Sequence, residues 1–142
     1  MKKRYRYGLY VLGGIWMVAM AALSPQFVAA HRETKNVLKV FDQYSSALVN
    51  QQFAEAYQHC GTDFRKSMPF DQFVALQVSL ESQLGRLRST KRTAYEVHGR
   101  GTPMSWRAVI DADMLYEKKS LRFEFVFHKE GDSWIIYGYE QL

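Results

Sequence analysis

Residues able to do chemistry are few in this 142-residue chain, and the densest set lies in one stretch. "YQHCGTDFRKSMPFDQF", residues 57–73, holds the only cysteine, Cys60, with His59 before it and Asp63 three residues after. A nucleophilic thiol needs a base within hydrogen-bond reach. Neighbours on a helix point about 100° apart and do not face each other. Cys60 also continues an apolar stripe with Phe53, Ala56 and Tyr57, where a thiol packs as a small hydrophobe. The stretch therefore reads as a helix end, with Gly61 the left-handed residue that stops it. The alternatives are a thiol activated by His59 or Arg65, or a cross-link to a partner.

The other candidates are weaker. His31, His59, His98 and His128 never fall three to five apart, and one cysteine makes no zinc corner. No metal site, cofactor or catalytic residue is implied, and no H-E-x-x-H, P-loop or G-x-S-x-G occurs. Asp111 and Asp113 share a strand face opposite Trp106 and Ile110. Cross-strand charge pairing explains them, with Asp113 expected opposite Glu124 and diagonal to Arg122. Arg86, Arg88, Lys91 and Arg92 form a basic run. It suits a charge-defended edge strand; phosphate or anionic lipid head groups are the other reading.

The elements that position these residues follow from periodicity. Residues 33–49 repeat as a helix through Val37, Phe41, Tyr44 and Leu48, and residues 51–60 form a second. A short turn runs through Lys66. A third helix spans residues 67–84, with Pro69 in its first turn, Asp71 at its N-terminal dipole, and an inner stripe of Phe70, Phe73, Gln77, Leu80 and Leu84. From Arg86 the period becomes two. "SWRAVIDADMLYE" puts Trp106, Ala108, Ile110, Ala112, Met114 and Tyr116 on one face, and "LRFEFVFH" does the same for Leu121, Phe123, Phe125 and Phe127. A turn centred between Lys118 and Lys119 pairs Tyr116 with Leu121, Met114 with Phe123, Ala112 with Phe125, and Ile110 with Phe127. A turn centred between Glu130 and Gly131 adds Trp134, Ile136 and Gly138 to that face. About three helices followed by a four-stranded antiparallel meander is an α+β layer architecture.

The charge is uneven. Of 19 basic residues, Lys2, Lys3, Arg4 and Arg6 precede Leu9, which leaves 15 against 14 acids in the rest. A body near neutrality has no field to gather nucleic acid. Residues 9–23, "LYVLGGIWMVAMAAL", form an uncharged run of 15, shorter than the roughly 20 residues of a spanning helix. With the small residues Val28 and Ala30 before His31, residues 1–30 read as a signal peptide or a retained inner-membrane anchor, and residues 31–142 as one domain. Either way the body is exported, to the periplasm or to the outer side of the membrane.

"LVNQQFAEAYQHCGTDFRKSMPFDQF", the "LG" at Leu84–Gly85 and "FEFVFHKEGDSWIIYGYE" together resemble the nuclear transport factor two-like, cystatin-like cone superfamily. Small exported bacterial domains of that class are the most similar. The resemblance covers residues 33–142 and implies a curved sheet wrapped on helices, with a pocket at the wide end of the cone. This superfold hosts enzymes, transport factors and secretion-system assembly domains. Some relatives are isomerases with a carboxylate base and Tyr/Asp oxyanion donors. This chain departs from them, since its inner strand faces carry no acid.

The expectation is a non-enzymatic domain that binds a protein partner (a second copy or an envelope protein) or a small apolar ligand. The alternative is an isomerase- or hydrolase-like enzyme in the cone. Tyr44, Tyr57, His59 and Tyr116 are the pocket candidates. On the outer sheet face Val126, Ile135, Tyr137 and Tyr139 are the partner-surface candidates, because apolar groups on both faces of a strand imply cover on both.

Overall fold

The N-terminal half of the body is helical because its apolar residues recur at steps of three and four. The computed structural model describes residues 24–142. Four helices come first: α1 (Pro25–Val49), α2 (Phe53–Gln58), α3 (Thr62–Ser67) and α4 (Phe70–Leu84). Strands β1 (Leu87–Arg100), β2 (Ser105–Tyr116), β3 (Ser120–Glu130) and β4 (Ser133–Gln141) follow. They form an open antiparallel sheet in the order β1-β2-β3-β4. The α+β architecture is as expected, with the short turn before α4 amounting to a helix of its own.

The chain divides between Glu33 and Thr34 into two units. The described part of the first is the opening of α1, where Phe27 and Val28 are exposed. Because α1 runs unbroken from Pro25, the expected division at residue 30 falls inside it. The expected signal or anchor run, residues 9–23, lies outside the described residues. Among those described, no helix is long and apolar enough to cross a membrane.

In the second unit, Val37, Phe41, Tyr44 and Leu48 of α1 are all buried. The helix ends in a Schellman turn. Gln51, at φ 59°, donates its N–H to the Leu48 carbonyl, and Gln52 reaches back to that of Ala47. A glutamine thus does the left-handed work usually given to glycine or asparagine. Phe73 and Gln77 carry the buried stripe of α4, whereas Phe70 at its start is exposed. Gly85, at φ 79°, stops α4 where an added Cβ would lie 2.7 Å from that of Glu117.

The sheet turns its apolar face to the helices, and Phe125 meets both Phe41 and Tyr44 edge-on, at 5.4 and 5.9 Å between ring centres. The faces of β2 and β3 are as the alternation predicts, but both hairpin registers differ by two residues. Ile110 pairs with Phe125 and Ala112 with Phe123. A two-residue slip keeps every side chain on its face, which is why the pattern alone does not resolve it. The turn is fixed from outside the hairpin: Glu117 N–H bonds to the Arg86 carbonyl and Lys118 N–H to that of Leu84. In the next hairpin, Phe127 pairs with Ile136 rather than Trp134.

Candidate functional site

Cys60 is not on a helix. α2 stops at Gln58, and residues 59–61 lie as an extra short strand along β4, Cys60 forming a parallel bridge with Ile136. Ile136 donates to the His59 carbonyl at 2.8 Å and accepts from Gly61 N–H at 2.9 Å. Gly61 has φ −77° and ψ 174°, an extended conformation open to any residue, so it is not the left-handed stop that the sequence suggests. Here the backbone approaches closely: a Cβ there would stand 2.3 Å from Ile135 Cδ1, so a larger residue needs that side chain to shift. Burial pushes the Cys60 thiol up to about 12, against a small opposing pull from Arg65. A buried, protonated thiol is a poor nucleophile.

The pinned Ile136 is followed by a β-bulge. Phe127 pairs with Ile136, but its neighbour Val126 pairs with Gly138, leaving Tyr137 as the extra residue. A bulge re-aims the side chains after it. Tyr139 is consequently turned to the helix side, with its ring 5.5 Å from Phe125, 5.9 Å from Phe123 and 5.7 Å from Phe64. Its hydroxyl lies 4.0 Å from Met68 Sδ. Tyr139 therefore packs, half-buried, against the core on the helix side rather than on the outer face where the alternation puts it. Ile135 is half-buried against Gly61 of its own chain. Val126 and Tyr137 keep the outer face, Val126 half-buried and Tyr137 exposed.

The four pocket candidates do not converge. Tyr44 and Tyr116 meet at a recess on the helix side of the sheet, together with Leu80, Met114, Phe123 and Tyr139. Its free volume is about 20 Å³, room for about one water molecule. Burial raises the hydroxyl pKa of Tyr44, Tyr139 and Tyr116, the last to about 12. Tyr57 lies elsewhere, packed on Phe70 and Phe73, its hydroxyl donating to the Met68 carbonyl at 2.9 Å and Arg65 over its ring at 5.2 Å. His59 lies on a groove between α1 and the β3–β4 turn, with Lys39, Gln43 and Ser133. Burial lowers its imidazole pKa, with Glu55 opposing. Neither residue borders the recess.

Some of the charged candidates are paired, whereas Asp111 Oδ1 is buried without a hydrogen-bond partner among the described residues. Asp113 stands directly opposite Arg122, not Glu124. Arg122 donates to both carboxylate oxygens, at 2.7 and 3.2 Å. In the basic run, Arg88 is bonded to Glu117, and Arg92 lies 3.7 Å from Asp42. That run opens β1, which is an edge strand. Among the described residues no three His, Cys, Asp or Glu side chains come together as a metal-ligand set.

One arrangement escapes sequence reasoning. His98 pairs with Arg107, and Arg107 pairs with His128, so three nitrogen-bearing side chains stand in a row across β1, β2 and β3. Tyr137 stacks flat on His128, with ring centres 4.3 Å apart and planes inclined by 14°. These four residues border a hollow of about 650 Å³. In the register read from the sequence, Arg107 faces Glu130 instead, and the row does not exist.

Comparison with known proteins adds fold alone. Neither a protein-family profile nor a curated protein sequence matches the chain. A solved structure of Bdellovibrio bacteriovorus Bd1075 is similar, at a TM-score of 0.56 and 11% identity. The match covers 75% of this chain and 39% of that one, so the chain spans well under half the length of this neighbour.

Proposed function

We propose that this chain is an exported domain of the nuclear transport factor two-like cone class, without chemistry of its own, that acts by binding a protein partner along its sheet. One observation carries the reading. β1 is a 14-residue edge strand in which every residue except Leu87, Thr90 and Val97 is exposed. Its basic start and the register irregularities at Leu87–Ser89 and Arg92–Ala94 guard the first half against pairing. The regular stretch from Ala94 to Arg100 is a template for a further strand. Tyr95, 53% exposed, and Glu96 lie on opposite faces of it. The partner is a second copy or another protein of the cell envelope. Export, by a cleaved signal or a retained anchor, rests on the charge and apolar pattern of residues 1–30. The filled recess weighs against the two readings that need space there, a small apolar ligand and an enzyme in the cone.

The reading is tested by placing a photo-cross-linking residue at Tyr95, at Glu96 and, as a control, at the exposed Ser82 of α4. Discrete protein adducts from Tyr95 and Glu96 but not from Ser82 are expected, of twice the chain mass for a second copy. No adducts, or equal adducts from all three, overturn it.

A further inference from the structure

We infer that the hollow beside His98, Arg107 and His128 is a binding site for a small organic anion, a carboxylate or phosphate, that carries a flat ring. The row places a guanidinium between two imidazoles on adjacent strands. Arg100 adds a second guanidinium to the lining. Neither Arg100 nor Arg107 has a carboxylate within ion-pair distance among the described residues.

Two acids also border the hollow, Asp63 and Glu130. Asp63 Oδ1 lies 3.8 Å from Lys66. Arg107 further borders a smaller hollow with Glu96, Asp111 and Glu124, again without an ion pair to any of them. The guanidinium therefore lies between acids that do not reach it and an open space, where a ligand anion can accept two parallel hydrogen bonds from it. His128 can supply a further donor on one side; on the other, His98 Nε2 already lies 3.2 Å from Glu96 Oε2.

The ring requirement comes from the aromatic lining. Tyr137 is held flat by its stack on His128, yet 46% of its surface is exposed. Trp106, half-buried, lines the same hollow. A flat ring can be received there at little entropic cost, because Tyr137 is already held by its neighbour. A volume of about 650 Å³ suits a small molecule. It is also well separated in kind from the recess on the other face, which admits about one water.

Calorimetric titration of the protein with phenyl phosphate tests the site, with inorganic phosphate and neutral benzyl alcohol as comparisons. Phenyl phosphate is expected to bind saturably and at least about tenfold more tightly than either comparison, and Arg107→Gln to weaken it about tenfold or more. Arg107 is exposed, so this variant is expected to fold, which circular dichroism checks. A second variant, His128→Phe, which keeps a ring beneath Tyr137 but removes the donor, is expected to weaken phenyl phosphate at least threefold, in line with the loss of one donor. Absence of saturable binding, equal binding of benzyl alcohol or inorganic phosphate, or unchanged affinity in Arg107→Gln overturns the inference.

Discussion

Tyr137 and Tyr139 stand two residues apart on β4 and point to opposite faces of the sheet. Tyr137 stacks on His128, while Tyr139 packs among Phe64, Phe123 and Phe125. Regular alternation puts such residues on one face. The bulge at Tyr137, beside an Ile136 tied to His59 and Gly61, separates them.

The separation has a thermodynamic signature. Tyr139→Ala removes a ring from the core and is expected to cost about 3 kcal/mol. Tyr137→Ala removes one mostly solvated stacking contact and is expected to cost about 1 kcal/mol or less. Urea denaturation of the two variants measures the difference. Equal costs contradict the inward placement of Tyr139.

Gly61 and Ile135 form a coupled pair. Gly61→Ala places a methyl group against Ile135 Cδ1 and is expected to destabilise the fold by about 1–3 kcal/mol through overpacking. Ile135→Val removes Cδ1, so the double variant should recover about half of that loss or more. A double-mutant cycle by denaturation measures the coupling. Strictly additive costs indicate that the glycine is needed for some other reason.

Much of this architecture was legible in the sequence, and the misses share a cause. The 3.6-residue stripes of α1 and α4 and the alternation of β2 and β3 each state which face is buried. Phe41, Phe73, Ile110 and Phe125 are accordingly where the pattern puts them. What periodicity leaves open is anything that keeps the face but changes the neighbour. A two-residue slip moves Arg122 from diagonal to directly opposite Asp113, and Arg107 from Glu130 to His128, without breaking the pattern. The slip follows from hydrogen bonds between the Glu117–Lys118 turn and the Leu84–Arg86 segment, contacts between elements that no local reading contains. Phe70 differs for another reason: it sits on the helical stripe, but in the first turn of α4, where it covers Tyr57 at the margin of the core and stays exposed on its other side.

Cys60 offers a kinetic check. Its thiol is buried, and burial raises its pKa to about 12. At pH 8 only about one thiol in ten thousand is then ionised, against roughly a quarter of free cysteine. An aromatic disulfide reagent is expected to label the folded protein at least about a thousandfold more slowly than the unfolded chain. Rapid labelling of the folded protein contradicts the packing of residues 59–61 against β4.

The Asp113–Arg122 pair predicts a pH dependence of definite sign. Its hydrogen bonds to Arg122 hold the Asp113 carboxyl below the usual carboxylate range. A group with a lowered folded pKa adds stability above its unfolded value, near 4, and that stability is lost as pH falls through the folded value. Asp113→Asn is therefore expected to be less stable than the parent at neutral pH, with the gap closing as pH falls well below about 4. Urea midpoints across that range measure it. A gap that is constant with pH contradicts the ionic pairing.

The central claim is that the helix-facing side of the sheet is packed shut and that the proposed anion site lies in the hollow beside Arg107 instead. Side-chain NMR shift mapping during titration with phenyl phosphate tests it most directly. Shifts at His98, Arg107, His128 and Tyr137, with the Met114 methyl and the Tyr116 and Phe123 rings unmoved, are the predicted result. Shifts centred on Met114, Tyr116 and Phe123 would contradict the claim, because they require the recess to open.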